Sequence, residues 1–497
     1  MNETTTTGFL DRTLGRLRKG WRSIAGKSFD ETVANLRPDL PDEDLDRLRA
    51  QMQACLETRG GEVTARANAA ALGHAYLALN RAGRGRFLEV LARDFDIDRQ
   101  AVDAAAVRMM SAEGEEARLE AERHLRKVLE APRVRLLTLF NALPDGVKFL
   151  VDMRAELLPL ARTDPALQAL GRDLKRLLKT WFDVDFLELR RITWDSAPAA
   201  LLEKLIAYEA VHAIESWDDL KNRLDSDRRC FAYFHPRMPD EPLIFVEVAL
   251  VNGMAVNVQD LLNERAPVQD PASADTAIFY SISNAQKGLA GISFGNFLIK
   301  RVVASLSDEF KGLKVFATLS PVPGFRSWLM RRLSQEFGED FSPEVMIDQM
   351  NRPGWPGWYE DEGAAQMLRD TFMNLCARYL AEEKRPEGDA GTGPLKALDA
   401  VAHFHLTNGA RIERLNWMGD RSQKGIEQSA GIMVNYLYEF SEIEHNTEAY
   451  TSAGTVAVSL AVKSLLKRNV RNPGDLFRSI KENWPKTPDM PPDGIDR

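Results

Sequence analysis

The residues of this chain best placed for chemistry lie between Ala277 and Val303, AIFYSISNAQKGLAGISFGNFLIKRVV. The pattern predicts a buried strand over Ala277–Ser283, a glycine-rich turn and an amphipathic helix over Gly295–Leu306. A helix start presents unpaired N–H groups and the positive end of the helix dipole. This order of elements therefore predicts a seat for a phosphate-bearing ligand.

Two serines, Ser281 and Ser283, stand where this strand ends. Strict alternation places them with Phe279 on one face of the strand. Their hydroxyls could contact a substrate, or they could merely satisfy backbone groups at the strand end. The pattern of the strand alone leaves both interpretations open.

The turn QKGLAG follows directly, and glycines there allow the backbone to approach a pyrophosphate closely. Its spacing is neither GxxxxGK[ST] nor GxGxxG, which counts against ATP and dinucleotides. The turn is similar to the Q/R-x-x-G-x-G/A loop that holds coenzyme A in the acetyltransferase-type (GNAT) fold, although its spacing departs from that pattern. The candidate ligand-binding residues of the turn are Gln286, Gly288, Gly291 and Gly295.

A histidine pair, His403 and His405, occurs much later in the chain. The surrounding residues predict a strand with both rings on one face, and Asn408-Gly409 predicts a turn after it. An unperturbed histidine titrates near working pH and can deliver a proton, although a lone strand histidine is commonly structural. No third ligand accompanies the pair, so the sequence predicts no metal site.

The pattern of apolar residues along the chain changes near residue 188. Helical spacing dominates before it, as in Pro41–Thr58, and β-branched and aromatic runs mark strands after it. The predicted elements of the second half are helix Pro198–His212, helix Trp217–Leu224, strands Cys230–Phe234, Leu243–Val251, Ala277–Ser283 and Leu313–Leu319, strand-like runs His403–Leu406, Ala410–Trp417 and Gly431–Glu439, and helix Thr451–Lys467.

Composition narrows the class of protein. The 497 residues carry a net charge of −8, which disfavours a nucleic-acid binder. Three separated cysteines without a CxxC pair suit a reducing compartment. No uncharged apolar run is long enough to span a bilayer, and the expectation is a cytoplasmic protein without membrane partners.

Eight motifs together resemble the malonyl-CoA decarboxylase family. LSPVPGF and FHLTNGA carry the most weight, because no generic structural reason makes them recur together. The motifs are GRGRFLEVLARDFDID (83–98), FYSIS (279–283), QKGLAG (286–291), GNFLIKRVV (295–303), LSPVPGF (319–325), FHLTNGA (404–410), RLNWMGD (414–420) and NY-x-Y (435–438). The resemblance implies an all-helical oligomerisation domain over 1–188, followed by a GNAT-like mixed-sheet catalytic domain over 189–497.

The resemblance also implies an activity, the cofactor-free conversion of malonyl-CoA to acetyl-CoA and CO2 by a homo-oligomer, a tetramer or dimer. By position, the family's catalytic serine and histidine fall on Ser283 and His405. Sequence leaves open which of the two delivers the proton. The family's malonyl-CoA contact segment falls on Ala255, Val256, Asn257, Val258, Gln259, Asp260 and Leu261. The alternative, without a role in substrate binding, is that this segment is an ordinary strand-to-helix connection in which Asn257 and Gln259 are solvated.

Two other functions fit parts of the pattern. A GNAT acyltransferase would move an acetyl group from coenzyme A to an amine. A non-catalytic scaffold would bind acyl-CoA without turnover. The presence of both Ser283 and His405 favours catalysis over the scaffold.

Overall fold

The computed structural model describes residues 21–22, 24–25, 35–57, 61–182, 186–292, 297–337, 359–360, 362–386 and 395–468. Gly295, one of the predicted ligand-binding residues, lies outside these ranges. All structural statements below concern the described residues.

The first half is built from helices. In the first of them, Asp42, Glu43 and Asp44 supply an acidic first turn, and Leu48 and Met52 are buried one turn apart. The helices are α1 (Asp42–Leu56), α2 (Gly61–Ala78), α3 (Arg81–Arg93), α4 (Arg99–Met110), α5 (Glu115–Val128), α6 (Pro132–Asn141), α7 (Gly146–Leu160) and α8 (Pro165–Trp181). The predicted helical first half is confirmed.

The second half adds a mixed sheet with helices. Its elements are β1 (Glu188–Ile192), α9 (Ala199–Tyr208), α10 (Trp217–Arg223), β2 (Arg228–His235), β3 (Met238–Val251), α11 (Val258–Leu262), β4 (Thr276–Asn284), α12 (Phe297–Glu309), β5 (Val315–Thr318), β6 (Ser320–Pro321), α13 (Phe325–Phe337), α14 (Glu362–Ala381), β7 (Lys384–Pro386), β8 (Leu395–Ala397), α15 (Ala400–Thr407), β9 (Arg411–Asn416), α16 (Gln423–Ser429), β10 (Met433–Leu437), α17 (Ile443–Ala453) and α18 (Leu460–Lys467).

The large sheet has the order β1-β2-β3-β4-β5-β10-β6, with β9 on β10, and β7 pairs with β8 apart from it. β4 and β5 are its parallel pair, and helix α12 forms the crossover between them. Their pairing ends at Phe279 opposite Thr318, where Leu319 N–H donates to Phe279 O at 2.9 Å. Beyond this point β4 continues against β3, whereas β6 pairs with β10. The divergence of two parallel strands is consistent with the expected acetyltransferase-type fold.

A bulge in β4 alters which side chains share a face. The register with β3 shifts between Glu247 and Val248, so Ser281 lies opposite Glu247 while Phe279 lies opposite Val248. Phe279 therefore packs into the main core, and Ser281 and Ser283 lie on the other face. The predicted strict alternation of Phe279 with the two serines was wrong, because the bulge inserts one residue between them.

Three element predictions were also wrong. The run His403–Leu406 is helical, because the Asp399 carboxylate accepts from Val401 and Ala402 N–H and caps α15. The predicted helix Pro198–His212 ends at Tyr208, which leaves Glu209 in the following turn. The predicted single helix Thr451–Lys467 is two helices, α17 and α18, separated after Gly454.

The two halves share one continuous hydrophobic core, which runs from Trp21 to Val462. Gly288 follows β4 and packs against α7 so closely that a β-carbon there would meet Val151 O at 1.8 Å. Only glycine permits this approach. None of the described helices is long and apolar enough to cross a membrane.

Candidate active site

A carboxylate holds the two serines at the end of β4. The hydroxyl of Ser281 donates to Glu209, with 2.9 Å to each carboxylate oxygen. The hydroxyl of Ser283 donates to Glu209 Oε2 at 3.1 Å and accepts from Ala210 N–H at 3.2 Å. Both serines are buried, so their hydroxyls have fixed partners rather than bulk water.

The position of Glu209 follows from the local chain. Helix α9 ends one residue earlier, and the Glu209 carboxylate then accepts from Val211 N–H at 2.7 Å and His212 N–H at 2.9 Å. Lys424 donates to the carbonyls of Ala210 and Val211 at 2.6 and 2.8 Å. The turn over 209–212 is therefore fixed from both sides, and its carboxylate is aimed at β4.

A second buried charge cluster lies beneath the serines. Glu247, opposite Ser281 in the sheet, is 3.2 Å from Arg223, which also binds Asp219 at 2.7 Å. Burial, and then the charge of Glu209, raise the pKa of Glu247 to about 8, while Arg223 acts to lower it. The cluster places a fixed positive guanidinium and several carboxyl groups close to the serine face of the sheet.

His405, on helix α15, belongs to a separate hydrogen-bond network that includes residues of β6 and of the segment just after β10. Its Nδ1 is 2.7 Å from Tyr438 Oη, and its Nε2 is 3.2 Å from Ser320 Oγ. Ser320 Oγ donates to Thr318 Oγ1 at 2.9 Å, so it accepts from His405. This assigns the proton to Nε2 and makes Nδ1 the acceptor of the Tyr438 hydroxyl.

Burial determines the charge state of this histidine. His405 is 2% exposed, and its ring stacks on Tyr436 with centroids 4.4 Å apart. Burial lowers its pKa to about 3. The assumption that this histidine titrates near working pH was therefore wrong, because desolvation disfavours the imidazolium.

The neighbouring His403 belongs to a different environment. Its Nδ1 is 2.8 Å from Tyr450 Oη on α17, whereas His405 meets Tyr438 just after β10. The expectation that both rings share one strand face was wrong because the segment is helical.

No hydrogen bond joins Ser283 to His405 in the part of the chain described here. Ser283 binds the turn at Glu209, and His405 binds Ser320 beyond β5. The two networks belong to the two strands that diverge after Phe279 and Thr318. A substrate between them would meet the Ser283 hydroxyl, held by a carboxylate on β4's side, and the neutral imidazole of His405 on helix α15, which contacts Ser320 on the other side.

The segment 255–261 connects β3 to α11 and is fixed by side chains. Asn257 caps α11 by accepting from Gln259 N–H at 2.7 Å. Gln259 donates to Asp420 Oδ1 at 2.7 Å and accepts from Arg421 N–H at 3.2 Å. The segment is a strand-to-helix connection, but its Gln259 side chain is bound to the chain rather than solvated.

Asn435 links this segment to the histidine network. Its side-chain amide donates to Ala255 O at 3.1 Å and to Thr318 O at 2.8 Å. The assignment of substrate contacts to 255–261 stays a prediction.

The glycine turn after β4 contacts the helical half. Gln286 donates to Pro242 O at 3.0 Å and is buried, and Gly288 contacts α7. Gly291 has φ +72°, a left-handed conformation that favours glycine. Coenzyme binding by these residues stays a prediction.

Among the described residues no group of three or more His, Cys, Asp or Glu side chains could hold a metal ion. A reaction without a metal stays a prediction, which an assay in the presence of a chelator addresses.

Sequence reasoning missed several residues of the two networks. Glu209 was placed inside a helix, which hid its carboxylate. Ser320 and Tyr438 lie within motifs LSPVPGF and NY-x-Y, but no role was given to them. The occurrence of a serine and a tyrosine in two motifs that accompany FHLTNGA was the signal that could have found them.

The fold and the site define a class of protein: a helical half joined to a mixed sheet whose parallel strands diverge between a serine–glutamate pair and a buried histidine. Family models agree with that division. The malonyl-CoA decarboxylase C-terminal domain matches residues 185–475, and the malonyl-CoA decarboxylase N-terminal domain matches residues 95–182.

Individual relatives agree with the family models. The chain is 36% identical over 420 residues to the mitochondrial malonyl-CoA decarboxylase of Anser anser anser, covering 78% of this chain and 81% of that one. The crystal structure of malonyl-CoA decarboxylase from Rhodopseudomonas palustris is 40% identical with a TM-score of 0.76, covering 84% of this chain and 99% of that one. The structure of the enzyme from Agrobacterium vitis is 41% identical with a TM-score of 0.74, covering 85% and 100%. The chain belongs to the malonyl-CoA decarboxylase family.

Proposed function

We propose that this chain converts malonyl-CoA to acetyl-CoA and CO2, with Ser283 and His405 as its catalytic residues. The observation that carries the proposal is that Ser283 lies on β4 and His405, on helix α15, contacts Ser320 just beyond β5, so that one residue adjoins each of the two diverging strands in a chain of this family. The bond between the carboxylate and the α-carbon breaks, CO2 leaves, and its electron pair moves into the thioester carbonyl as an enolate. A proton then reaches the α-carbon.

Ser283 is assigned to the thioester oxygen. Its hydroxyl donates to Glu209 in the free protein. The negative charge of Glu209 disfavours a substrate carboxylate at the same place. To reach the thioester oxygen this proton must turn from Glu209 to the substrate, while the hydrogen bond from Ala210 N–H keeps Oγ in place. The oxygen of the donor is thus positioned before the enolate develops.

His405 is assigned to the proton. Its pKa of about 3 keeps the ring neutral at working pH, so it acts through its Nε2–H rather than as an imidazolium. As Nε2 releases this proton to the α-carbon, Nδ1 accepts the hydroxyl proton of Tyr438, 2.7 Å away. Because burial raises the pKa of Tyr438, its phenolate is short-lived, and a proton from solvent restores the hydroxyl within the same turnover.

The reaction is tested by measuring CO2 and acetyl-CoA formed from malonyl-CoA by the purified protein, with EDTA and without an amine. Turnover under these conditions supports the proposal and excludes a required chelatable metal. Binding without turnover would favour an acyl-CoA sensor. Acetyl transfer that needs an added amine would favour an acyltransferase.

The catalytic assignment predicts that Ser283→Ala and His405→Ala each lower kcat by about 10²-fold or more. Ser273→Ala and His124→Ala are the matched controls, because both residues are exposed and lie outside the two networks. Near-wild-type turnover in both catalytic-site variants would overturn the assignment.

The helical half is proposed to carry a homo-oligomer contact. Helices α4 and α5 expose Val107, Met110 and Leu119, and Leu129 is exposed just after α5. Exposed apolar side chains grouped on neighbouring helices are typical of protein interfaces. In a V107E/M110E variant the oligomer should dissociate, which light scattering would detect as a lower molecular mass. An unchanged mass would place the contact elsewhere.

A cytosolic location is also proposed. Cys55, Cys230 and Cys376 are all free and buried, which suits a reducing compartment. Burial raises the pKa of all three thiols, that of Cys55 to about 12. Cell fractionation tests the location.

A further inference from the structure

Arg154 is a buried cation at the seam between the helical half and the sheet. It lies on α7 with 4% of its surface exposed. Its guanidinium donates to Gly288 O and, at 2.9 Å, to Ala290 O, both in the turn after β4. Its Nε has no hydrogen-bond partner.

No carboxylate among the described residues forms an ion pair with Arg154, and burial is the cause that lowers its pKa. Arginine stays protonated in proteins, so the fold keeps an uncompensated positive charge there. Such a charge is costly unless an anion offsets it. The carbonyl oxygens of Gly288 and Ala290 accept from the guanidinium, so the positive charge lies directly against the turn.

Lys175 on α8 brings a second cation to the same turn. Its Nζ lies 3.3 Å from the place a β-carbon would occupy at Gly291. The lysine is exposed, and no hydrogen bond or ion pair holds it to the described residues. Its ammonium is therefore free to meet an anion at this turn.

We propose that Arg154 and Lys175 of the helical half complete a diphosphate-binding site with the turn 287–291, so that the coenzyme binds across the seam between the two halves. The inference rests on the proposed function and deepens it. A coenzyme A diphosphate carries two negative charges, which two cations and a glycine backbone turn would match. Without a ligand role, Arg154 would only fasten the halves together.

The test compares coenzyme A with pantetheine, which lacks the diphosphate and the nucleotide. Calorimetric titration should show that Lys175→Ala weakens coenzyme A binding by about 3- to 5-fold, equivalent to the loss of one exposed charge contact. Its pantetheine affinity should stay unchanged. Lys179→Ala, one helical turn further on an exposed position, is the matched control and should bind both ligands as the wild type does.

Arg154→Gln extends the test to the buried site because glutamine removes the positive charge, with the melting temperature measured alongside. Loss of coenzyme A affinity with unchanged pantetheine affinity supports the proposal. An equal loss for both ligands identifies Arg154 as a fastener only, and equal coenzyme A affinity in the Lys175 and Lys179 variants overturns the role of Lys175. Because binding is measured without turnover, a wild type that binds coenzyme A yet releases no CO2 would refute the proposed function alone.

Discussion

Glu209 accepts four hydrogen bonds, two from backbone N–H groups and two from the hydroxyls of Ser281 and Ser283. The backbone donors fix the carboxylate, and the carboxylate in turn fixes the serines. On the proposed role of Ser283, we infer that Glu209 is a positioning residue, because its carboxylate contacts the Ser283 hydroxyl.

Glu209→Gln should lower kcat by about 10-fold or more. The carboxylate accepts from two hydroxyls and two N–H groups, whereas the glutamine amide has only one acceptor oxygen. The KM for malonyl-CoA should change little. Steady-state kinetics check both values, with Glu215→Gln as the control, an exposed glutamate in the same turn region. A rise in KM with unchanged kcat would show that Glu209 serves binding instead.

At the scale of elements, much of the fold was predictable. Strand β4 was predicted from its run of Ile, Phe and Tyr. The bulge within it was not, because two residues opposite one leave no mark on the pattern of a single strand. The run from His403 to Leu406 was misassigned, since alternating apolar and polar residues over four positions do not separate a strand from one turn of helix. Asp399, four residues before His403, is an N-cap residue and was the signal in the sequence that indicated a helix.

Asp399 connects α15 to the rest of the site. It caps the helix that carries His405 and also lies 3.3 Å from Tyr379 Oη. Burial raises its pKa, while hydrogen bonds from Ala402, Gly324 and Val401 N–H act to lower it. These contacts tie the start of α15 to the LSPVPGF segment through Gly324.

Asp399→Ala should therefore reduce kcat as well as stability, because His405 lies on the second turn of the helix that the cap begins. The matched control is Asp98→Ala, which removes an exposed cap of the same geometry from α4. Asp98→Ala should lose about 1 kcal/mol of unfolding free energy. Asp399→Ala should lose more, because it also removes the buried hydrogen bonds to Gly324 and Tyr379. Urea unfolding and turnover separate the two effects, and equal turnover in both variants would contradict the link between Asp399 and His405.

At the scale of the whole molecule, buried histidines whose pKa is lowered make the fold sensitive to acid, and His405 and His212 show the largest shifts. Burial lowers the pKa of His405 to about 3 and that of His212 to about 4, where Asp420 raises it and Arg223 and Lys424 lower it further. In the unfolded chain both rings titrate near 6.5. Between about pH 6.5 and these lowered values, the unfolded state binds more protons than the native state does.

Stability from these histidines is thus complete above about pH 6.5 and is lost as the pH falls toward 4. For each of the two histidines, the free energy of unfolding should fall by about 2 kcal/mol when the pH is lowered from 7 to 5. Urea unfolding at the two pH values measures this loss, and His405→Gln should reduce the difference by about that amount because glutamine does not titrate. Many carboxyl groups also titrate in acid, but they are common to wild type and variant and cancel in the comparison. An identical pH dependence in both proteins would mean that His405 can take up a proton in the native state, and the neutral-imidazole mechanism would then be wrong.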